Sequence, residues 1–484
     1  MVFELDSDNK RPDADKLLVE IADFVCNFRA SGVTARNTAH LCLFDTLGCG
    51  LAALDHPVCA NMLGPTMDGM SPPLGARVPG TDYILDPVTA AFNIGTLNRW
   101  LDFNDAYFGK EGGHPSDNLC GILACADVLS RQRRAAGKTG LSMADILTAM
   151  IKAHEIQGNI AQMNAYNRHG LDNENLTKVA TAAVTTHMLG GTHEQIINAV
   201  SNAFCDGPAL RSYRHAPNTG WRKSWAAADA SARGLWHANL AIKNEMGYPS
   251  ILTNKVNGFY DAYFCGKEFE FIRPFESHIM ENVQFKCWPA EFHSQTAIEN
   301  ALQLHTEALP RLDQIKKIEL IGHRHGLNQI DKKGALYNPA DRDHCLQYID
   351  AVVLIYGNLI SLHYEDETAL DSRIDKLRNK METREDKNYT KSFFDPKDMA
   401  NCNAMQIFYE NGTKSKFIET KYPLGHPTRR KEGRPILAEK FKHNLKGRLG
   451  SEKEEKLLTL FYDQTTLEEL AVDEFMNLLS LNED

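Results

Sequence analysis

Apolar residues recur at helical spacing along most of the first half of the chain. Leu18, Ile21, Phe24 and Val25 return every three or four positions, which is the spacing of one face of a helix. The same helical spacing of apolar residues continues through several later segments, so we expect residues 14–265 to be mostly helical.

Polar residues mark where some of these helices begin and end. Ser142 with Asp145, and Thr192 with Gln195, form capping-box patterns in front of apolar faces. Residues 177–191 are rich in alanine and threonine, which predicts a buried helix that ends at a pair of glycines.

Further along the chain the pattern becomes mixed. Residues 268–276 and 314–323 alternate apolar and polar side chains and predict strands, while residues 289–309 between them predict a helix. Asn411–Gly412 joins two alternating segments and predicts a hairpin. The charged segment 375–391 is expected to be solvated helix and loop without a functional role.

These patterns predict a mostly α-helical protein built from two parts. Residues 1–267 and 436–484, from both ends of the chain, are expected to form one large all-helical domain. Residues 268–435 are expected to form a smaller inserted α+β domain. A cleft between two such domains is the usual place for a small ligand.

Net charge and hydropathy limit the expected cellular location and the classes of binding partner. The net charge of −10 at pH 7 argues against nucleic acid and anionic membrane surfaces as partners. Residues 1–16 are polar and acidic and match neither a signal peptide nor a transit peptide. No apolar run approaches the roughly 20 residues that a membrane helix needs. We therefore expect a cytoplasmic protein with no membrane partner.

The eleven cysteines form no recognisable metal or disulfide pattern. None belongs to a Cys-x-x-Cys pair, which argues against zinc and iron–sulfur sites of that type. An odd number indicates free thiols, and Cys42, Cys120 and Cys125 stand among apolar residues and are expected to be buried. A His-Glu-x-x-His motif is also missing, so we expect neither a metal nor a cofactor.

Five polar, turn-rich segments interrupt the apolar elements and hold most of the candidate chemistry. They are residues 101–118, 211–227, 285–295, 338–348 and 422–431. Together they supply the arginine, lysine, histidine, tyrosine and aspartate side chains that bind a polycarboxylate and move a proton beside it. Elimination of water next to a carboxylate needs a base, an acid and cations that stabilise the growing charge. These segments therefore indicate an enzyme that acts on an acidic small molecule.

Structural interpretations of the same residues stay open at this point. Asp102 and Asp105 follow a helical segment and are typical caps or turn formers. His114 lies in a tight Gly-His-Pro turn, which structure alone would explain. Lys223 opens a helix, where a positive charge is unfavourable, and this hints at a function.

Other histidines are interpreted as structural. His344 and Tyr348 are four residues apart and would share a helix face, which core packing also explains. His323 and His325 follow a predicted strand and are expected to be exposed rather than to bind a metal.

Longer motifs within these segments resemble the MmgE/PrpD family, and the resemblance runs from about residue 15 to the C-terminal helices. Within the family, the members that dehydrate 2-methylcitrate are the most similar. The motifs are NRWLDFNDAYFGKEGGHPSDN, AMIKAHEIQG, YRHAPNTGWRKSWAA, CWPAEFHSQTA, IDKKGALYNPADRDHC and YPLGHPTRR.

The resemblance implies a large all-helical domain formed by both chain ends, a smaller α+β lid domain, and a homodimer. It implies that water is removed from the tricarboxylate 2-methylcitrate to give 2-methyl-cis-aconitate during propionate breakdown. The chemistry would be acid–base elimination in the cleft between the domains, without an iron–sulfur cluster.

Two kinds of alternative remain. Within the family, the protein would be a broader tricarboxylate dehydratase that also handles citrate, or a decarboxylase of cis-aconitate. Outside enzymes, it would be a helical interaction protein that kept the fold and lost its chemistry.

The resemblance also carries functional positions onto this sequence. The expected catalytic residues are Asp102, His114, Lys223, Lys286, His293 and Tyr348. The expected substrate-binding residues are Ser116, Asn118, Arg214, His215 and Arg222. In this hypothesis Asp102 and His114 handle the proton, the lysines and Arg214 hold carboxylates, and Tyr348 or His293 assists departure of the hydroxyl.

Two positions depart from the family pattern. Ala106 stands where relatives often carry threonine, and Asn173 stands where a histidine is expected. His169, four residues before Asn173, is the one nearby histidine that would compensate. Both changes bear on substrate preference and on the assignment of acid and base.

Overall fold

The computed structural model describes residues 10–215, 217–395 and 398–482. Helices dominate this part of the chain, and the predicted mostly α-helical class is confirmed. None of the helices in these ranges is both long and apolar enough to cross a membrane.

The first part of the chain consists of helices joined by short loops and two small hairpins. The helices are α1 (Lys16–Asn27), α2 (Val33–Ala53), α3 (Pro57–Ala60), α4 (Pro87–Trp100), α5 (Leu119–Ala135), α6 (Met143–Met163), α7 (Glu174–Met188), α8 (His193–Cys205), α9 (Arg222–Ile242), α10 (Phe259–Phe264) and α11 (His278–Asn282). The hairpins pair β1 (Ala76–Arg77) with β2 (Ile84–Leu85), and β3 (Tyr107–Phe108) with β4 (Gly112–Gly113).

Local signals in the sequence account for several helix ends. Both predicted capping boxes are confirmed, at the starts of α6 and α8. The predicted buried helix is α7, which ends at Met188 just before Gly190, whose φ of 85° lies in the left-handed region.

The middle part of the chain combines helices with a four-stranded sheet. Its elements are α12 (Gln295–Ala308), β5 (Ile315–Gly322), α13 (Arg324–Ile330), α14 (Pro339–Arg342), α15 (Leu346–Tyr356), α16 (Asp366–Ala369), α17 (Ser372–Arg378), β6 (Met381–Glu385), α18 (Lys387–Phe394), β7 (Asn403–Tyr409) and β8 (Ile418–Thr420). The strand order is β6-β5-β7-β8, with β5 and β6 parallel and the other neighbours antiparallel.

The last part of the chain is helical again, and its helices pack against those of the first part. We call these two parts together the helical body. The helices of the last part are α19 (Arg430–Leu445), α20 (Ser451–Tyr462), α21 (Gln464–Glu469) and α22 (Val472–Leu479). Short 3-10 helices join elements along the whole chain, at Pro115–Asn118, Tyr166–His169, Arg211–Arg214, Phe292–Ser294, Leu309–Gln314, Ser361–Tyr364 and Pro427–Arg429.

Most sheet predictions are confirmed. The alternating segment 314–323 contains β5, and Asn411–Gly412 lies at the turn between the antiparallel strands β7 and β8. Gly412 has a φ of 81°, which a glycine adopts without strain.

The predicted strand at 268–276 is wrong, because side-chain amides hold its backbone in place of a neighbouring strand. The Asn164 side chain donates to the Glu270 carbonyl at 3.0 Å and accepts from the Glu270 N–H at 2.9 Å. The Asn159 side chain donates to the Pro274 carbonyl at 3.2 Å. The alternating phenylalanines instead join the aromatic core of the body, as Phe269 does against Phe264.

The charged segment 375–391 also differs from the prediction, because it contains strand β6. Met381 is buried, whereas Glu382 and Arg384 point to solvent from the edge of the sheet. Charged side chains are common on edge strands, and they hide the apolar alternation that would have predicted this one.

The described residues form three separate apolar cores. The largest contains residues of most helices from α1 to α11 together with Leu437, Phe441 and Phe475 of the last helices. A smaller one packs α4 against α5 and α9. The third lies between Ala290 and Tyr409 and packs α12 and α15 against the sheet. The exact domain limits stay a prediction, and the limit proposed at residue 435 lies inside α19.

The cysteines are free thiols, as predicted. Cys42, Cys120 and Cys125 are buried, also as predicted.

Candidate active site

The segment 101–118 forms a compact turn that brings two predicted catalytic residues together. After α4 ends at Trp100, Asp102 adopts a left-handed conformation with a φ of 50°. The chain then forms the β3–β4 hairpin and reaches His114 immediately before a 3-10 helix. A left-handed non-glycine residue costs about 1–3 kcal/mol and is concentrated at functional sites.

Asp102 is the centre of a buried charge cluster. Its carboxylate pairs with the guanidinium of Arg99, one turn earlier, and with Lys286 Nζ at 3.0 Å. Lys286 Nζ also donates to the Asp102 carbonyl at 2.7 Å. Burial alone would raise the pKa of Asp102, but Arg99 and Lys286 outweigh it and hold that pKa well below its usual range. Asp102 is therefore an ionised carboxylate at neutral pH.

His114 is held as a neutral imidazole with one nitrogen facing Asp102. Its Nδ1 lies 2.8 Å from the Asp105 carbonyl, so Nδ1 carries the proton and donates it. Nε2 lies 3.7 Å from the Asp102 carboxylate. Burial, Arg99 and Lys286 lower the pKa of His114 well below its usual value. The unprotonated Nε2 is therefore available to accept a proton.

Lys286 reaches this cluster because two distant segments pair with the hairpin. Ala106 and Gln284 exchange backbone hydrogen bonds of 2.8 Å in both directions, which places residues 284–287 beside Asp102. From α19, Lys440 Nζ then donates to the carbonyls of Phe103 and Lys286 at 2.7 and 3.0 Å. The last helices of the chain therefore help to assemble the site.

A second charge group is centred on Lys223, in the first turn of α9 as the sequence predicted. Its Nζ lies 2.7 and 2.8 Å from the two Asp343 carboxylate oxygens and 3.1 Å from His344 Nδ1. The prediction that His344 shares a helix face with Tyr348 is wrong, because α15 begins only at Leu346 and leaves His344 in the loop beside Lys223.

Glu291 connects the two charge groups. Its backbone N–H donates to the Asp343 carbonyl at 3.0 Å, and its side chain accepts from the His293 N–H at 2.6 Å. Burial raises the pKa of Glu291 to about 7, against the opposing effect of Lys286. Glu291 is thus a carboxyl group that changes charge near neutral pH.

His293 lies at the edge of this arrangement, in a cluster of aromatic rings. Its Nε2 is 3.8 Å from Glu291, and its ring centroid is 4.9 Å from that of His323. The expectation of an exposed His323 is wrong: it is buried, its Nε2 lies 3.0 Å from Asn401 Oδ1, and its ring stacks on Phe393 of α18.

A cavity of about 290 Å³ opens beside the Lys223 group, close to the size at which ligand pockets begin. Lys223, Asp343 and Tyr364 contribute to its wall. The indole rings of Trp100 and Trp221, which stack at 5.3 Å, supply apolar surface. The cavity joins the end of α4, immediately before Asp102, to residues of the middle part of the chain.

Tyr348 is the predicted catalytic residue that the structure leaves apart from the others. It is buried in the core of the middle part, and its hydroxyl donates to the His363 carbonyl at 2.7 Å. It borders a different cavity, of about 600 Å³, together with Arg342 and Arg378.

The predicted substrate-binding residues of the 211–227 segment are only partly available. The Arg214 guanidinium is bound by Asp172, at 2.6 and 3.2 Å, and by Glu174 at 2.9 Å. Arg222 lies over the Trp225 ring at 4.4 Å, and His215 is exposed.

Ser116 and Asn118 are buried next to His114 and bonded mainly to protein groups. The Ser116 hydroxyl accepts from the Asn104 side chain at 2.9 Å. Asn118 donates to Gln157 Oε1 at 2.6 Å and accepts from the Thr181 hydroxyl at 2.8 Å. Asn118 therefore fixes the shape of the site, whereas Ser116 still has a hydroxyl proton to donate.

The two departures from the family pattern lie around His114. Ala106 is fully buried between the hairpin and Gln284. The Asn173 side-chain nitrogen lies 3.1 Å from the position of a Cβ at Gly113, directly before His114. His169 is exposed and packs on Phe264, so it does not take the place of the missing histidine.

Arg99 and Asp343 of the charge groups and Tyr364 of the cavity wall are not among the residues predicted from the sequence. Arg99 precedes Asp102 by three residues, and this short separation is a usable signal for an ion pair. Asp343 and Tyr364 carry no comparable signal, because their importance depends on long-range contacts.

Among the described residues, one group of three potential metal ligands lies close together. Ligand atoms of Cys42, Asp105 and His154 lie within 4.8 Å of one another. Burial raises the pKa of the Cys42 thiol well above its usual value, and the Arg430 guanidinium lies close enough to act on both Cys42 and Asp105. A protonated thiol and a neighbouring cation make this a poor donor set for a divalent metal.

Comparisons with known proteins agree along nearly the whole chain. The MmgE/PrpD N-terminal domain matches residues 19–272, and the MmgE/PrpD C-terminal domain matches residues 288–464. The chain is 51% identical over 474 residues to 2-methylcitrate dehydratase of Escherichia coli strain K12, covering 97% of this chain and 98% of the relative. It is 49% identical over 476 residues to the 2-methylcitrate dehydratase of Cupriavidus necator, covering 98% of each. A mitochondrial 2-methylcitrate dehydratase of Yarrowia lipolytica is 49% identical over 479 residues, with 98% of this chain and 91% of the relative covered.

Proposed function

The chain belongs to the MmgE/PrpD family, and from this premise we propose that it removes water from 2-methylcitrate to give 2-methyl-cis-aconitate in propionate breakdown. It is a hydro-lyase. The observation that carries the proposal is the buried cluster of Asp102, His114 and Lys286, which joins an ionised carboxylate, a neutral imidazole and a lysine.

The proton would be taken by His114. In 2-methylcitrate, the carbon that loses its proton is adjacent to a carboxylate and to the carbon that bears the hydroxyl. Nε2 of His114 is unprotonated because Nδ1 donates to the Asp105 carbonyl. Asp102, 3.7 Å from Nε2, would stabilise the imidazolium that forms.

The carboxylates of the substrate would be held by the cations of the two charge groups. Arg99 and Lys286 form one group with Asp102, and Lys223 forms the other with Asp343. A substrate carboxylate would compete with Asp343 for Lys223. Arg214 is already paired with Asp172 and Glu174, so a substrate carboxylate would have to compete with both for it.

Departure of the hydroxyl needs a hydrogen-bond donor near the leaving oxygen. We assign His293 a supporting role through Glu291, whose pKa of about 7 allows it to carry a proton at neutral pH. Tyr348 is the weaker candidate, because its hydroxyl already donates to a carbonyl.

Assembly, location and domain motion complete the proposal. We propose a homodimer in the cytoplasm, with residues 268–435 acting as a lid over the cleft. Mass measured by light scattering would test the dimer, and a monomer at working concentrations would contradict it.

The reaction is tested by supplying purified protein with 2-methylcitrate, citrate and cis-aconitate separately. We expect loss of water from 2-methylcitrate, with the product identified by proton NMR. Carbon dioxide from cis-aconitate, without turnover of 2-methylcitrate, would identify a decarboxylase instead. Absence of turnover on all three, with a folded protein, would favour the non-catalytic alternative.

A further inference from the structure

Tyr364 lines the cavity beside the Lys223 group and carries a buried hydroxyl without a described hydrogen-bond partner. It ends the 3-10 helix Ser361–Tyr364 and lines the same cavity as Lys223 and Asp343. The side chain is buried, and its hydroxyl has no hydrogen-bond partner among the described residues. Buried polar groups are nearly always paired, so an unpaired hydroxyl beside a ligand cavity calls for an explanation.

The backbone of Tyr364 is fixed by an arginine. Arg342 Nη1 donates to the Tyr364 carbonyl at 2.6 Å, and its Nη2 donates to Asp366 at 2.6 Å. The ring packs in the core of the middle part, with its centroid 6.1 Å from that of Tyr348. The direction of the phenol is therefore set before any ligand arrives, which favours a positioned donor.

The charges around Tyr364 keep its proton in place. Burial raises the pKa of Tyr364 well above its usual value, and the carboxylates of Asp343 and Asp102 act in the same direction. These two carboxylates are the partners of Lys223 and Lys286 respectively. The phenol is thus a permanent hydrogen-bond donor close to both charge groups of the site.

We propose that Tyr364 is a catalytic residue of this site, whose hydroxyl donates a hydrogen bond to the oxygen that leaves the substrate. The inference rests on the proposed dehydration. As His114 takes the proton from carbon, the electrons of the carbon–hydrogen bond form the double bond and the carbon–oxygen bond breaks toward oxygen. The proton held by His114 returns to that oxygen, directly or through solvent, and water leaves. Tyr364 keeps its own proton and stabilises the negative charge that grows on the leaving oxygen.

A second tyrosine, Tyr409 at the end of β7, provides a matched control within the same core. Tyr409 and Tyr364 are both buried, but the Tyr409 hydroxyl donates to Glu307 Oε1 at 3.2 Å and the Tyr364 hydroxyl has no described partner. Removing one oxygen atom from each should therefore have opposite consequences. Tyr409→Phe breaks a structural hydrogen bond, whereas Tyr364→Phe breaks none within the described protein.

The test is to compare Tyr364→Phe and Tyr409→Phe in the full chain with 2-methylcitrate. We expect Tyr364→Phe to lower kcat roughly 100-fold, while KM changes less than about threefold and Tm is unchanged. We expect Tyr409→Phe to keep kcat within about twofold and to lower Tm.

The outcomes separate this inference from the function on which it rests. An active wild type whose Tyr364→Phe variant keeps its kcat would overturn the role of Tyr364 and leave the dehydration standing. A Tyr364→Phe variant that loses affinity and not kcat would also overturn it, since the hydroxyl would then only bind substrate. A folded wild type that does not dehydrate 2-methylcitrate would overturn both.

Discussion

Two ion pairs in the helical body are buried to a similar extent but differ in how completely their polar atoms are hydrogen-bonded, which we call their saturation. Asp127 of α5 accepts from Arg77 through both carboxylate oxygens, at 2.6 to 3.2 Å, and Arg77 also donates to the Asp473 carbonyl at 2.7 Å. In the cleft, Arg99 pairs with Asp102, yet Arg99 Nε has no hydrogen-bond partner within the described ranges.

Asp117, a second acid close to Arg99, is also incompletely hydrogen-bonded. Its Oδ2 has no described hydrogen-bond partner and lies 3.7 Å from Arg99 Nε. Breaking a closed buried ion pair destabilises the fold because it leaves one charge uncompensated, while an open pair leaves polar atoms that a ligand can use. Saturation therefore distinguishes a structural charge pair from a binding site better than burial does.

The largest expected effect is loss of turnover from a change inside the open cluster. His114→Ala should lower kcat by roughly 10²- to 10⁴-fold with little change in substrate affinity, because it removes the group that takes the proton. Steady-state kinetics with 2-methylcitrate measures this. His40→Ala is the control, since His40 is also buried and lies near the Leu460 carbonyl at 3.0 Å, in the core of the body. An unchanged kcat in His114→Ala would remove His114 from the mechanism.

The next effect should appear in stability alone. Asp127→Asn leaves Arg77 buried without its counter-charge, and we expect the free energy of unfolding to fall by about 3–5 kcal/mol. Urea denaturation measures the change, and kcat per folded molecule should stay the same. If Asp127→Asn instead abolished turnover without loss of stability, the distinction between closed and open pairs would fail.

The sequence alone predicts the class of fold, and it names Asp102, His114, Lys223 and Lys286, which lie in the two charge groups of the structure. Helical periodicity and capping residues act locally, so α6, α7 and α8 could be read directly. Polar segments between apolar elements predict where the site lies, because burying charged side chains costs free energy and calls for partners or a function. Strand β6 was missed since its edge position allows charged side chains.

The remaining errors have a common cause in contacts that sequence spacing does not report. The alternating phenylalanines of 268–276 predict a strand, whereas the side chains of Asn159 in α6 and of Asn164 directly after it hold that backbone. The sequence does not single out Tyr364, because its proposed role rests on an unpaired hydroxyl. Only the structure shows that this hydroxyl has no hydrogen-bond partner among the described residues.

A third effect concerns Glu111, whose saturation is intermediate. It accepts from the Asn167 N–H at 2.7 Å, but Arg211 remains 3.6 Å away. Burial raises the pKa of Glu111 from 4.5 to about 7. The folded state therefore holds a proton that the unfolded state releases between these values, and stability should fall as the pH rises from 4.5 through 7.

Glu111→Gln should remove that part of the pH dependence. Up to about 1.4 kcal/mol per pH unit is at stake for one group, which thermal unfolding at several pH values can resolve. An equally steep decline in wild type and variant would show that Glu111 does not cause it.

The smallest expected effect is a change in ligand affinity when Asp343, the anion that would compete with the substrate for Lys223, loses its charge. Asp343→Asn removes the charge opposite Lys223, so we expect a tricarboxylate analogue to bind roughly three- to tenfold more tightly. Calorimetry with tricarballylate measures the affinity. Asp366→Asn removes one charge from the same cavity wall, where Arg342 is its partner, and should change affinity less. Weaker binding in Asp343→Asn would mean that Asp343 organises the site and does not compete for Lys223.

The most direct measurement is a crystal structure of the His114→Ala variant with 2-methylcitrate bound. We expect substrate carboxylates at Arg99, Lys286 or Lys223, the hydroxyl oxygen within hydrogen-bond reach of Tyr364, and the proton-bearing carbon facing the position of the lost imidazole. A substrate bound instead in the cavity of about 600 Å³ beside Tyr348, with Arg99 and Lys286 untouched, would contradict the proposed site.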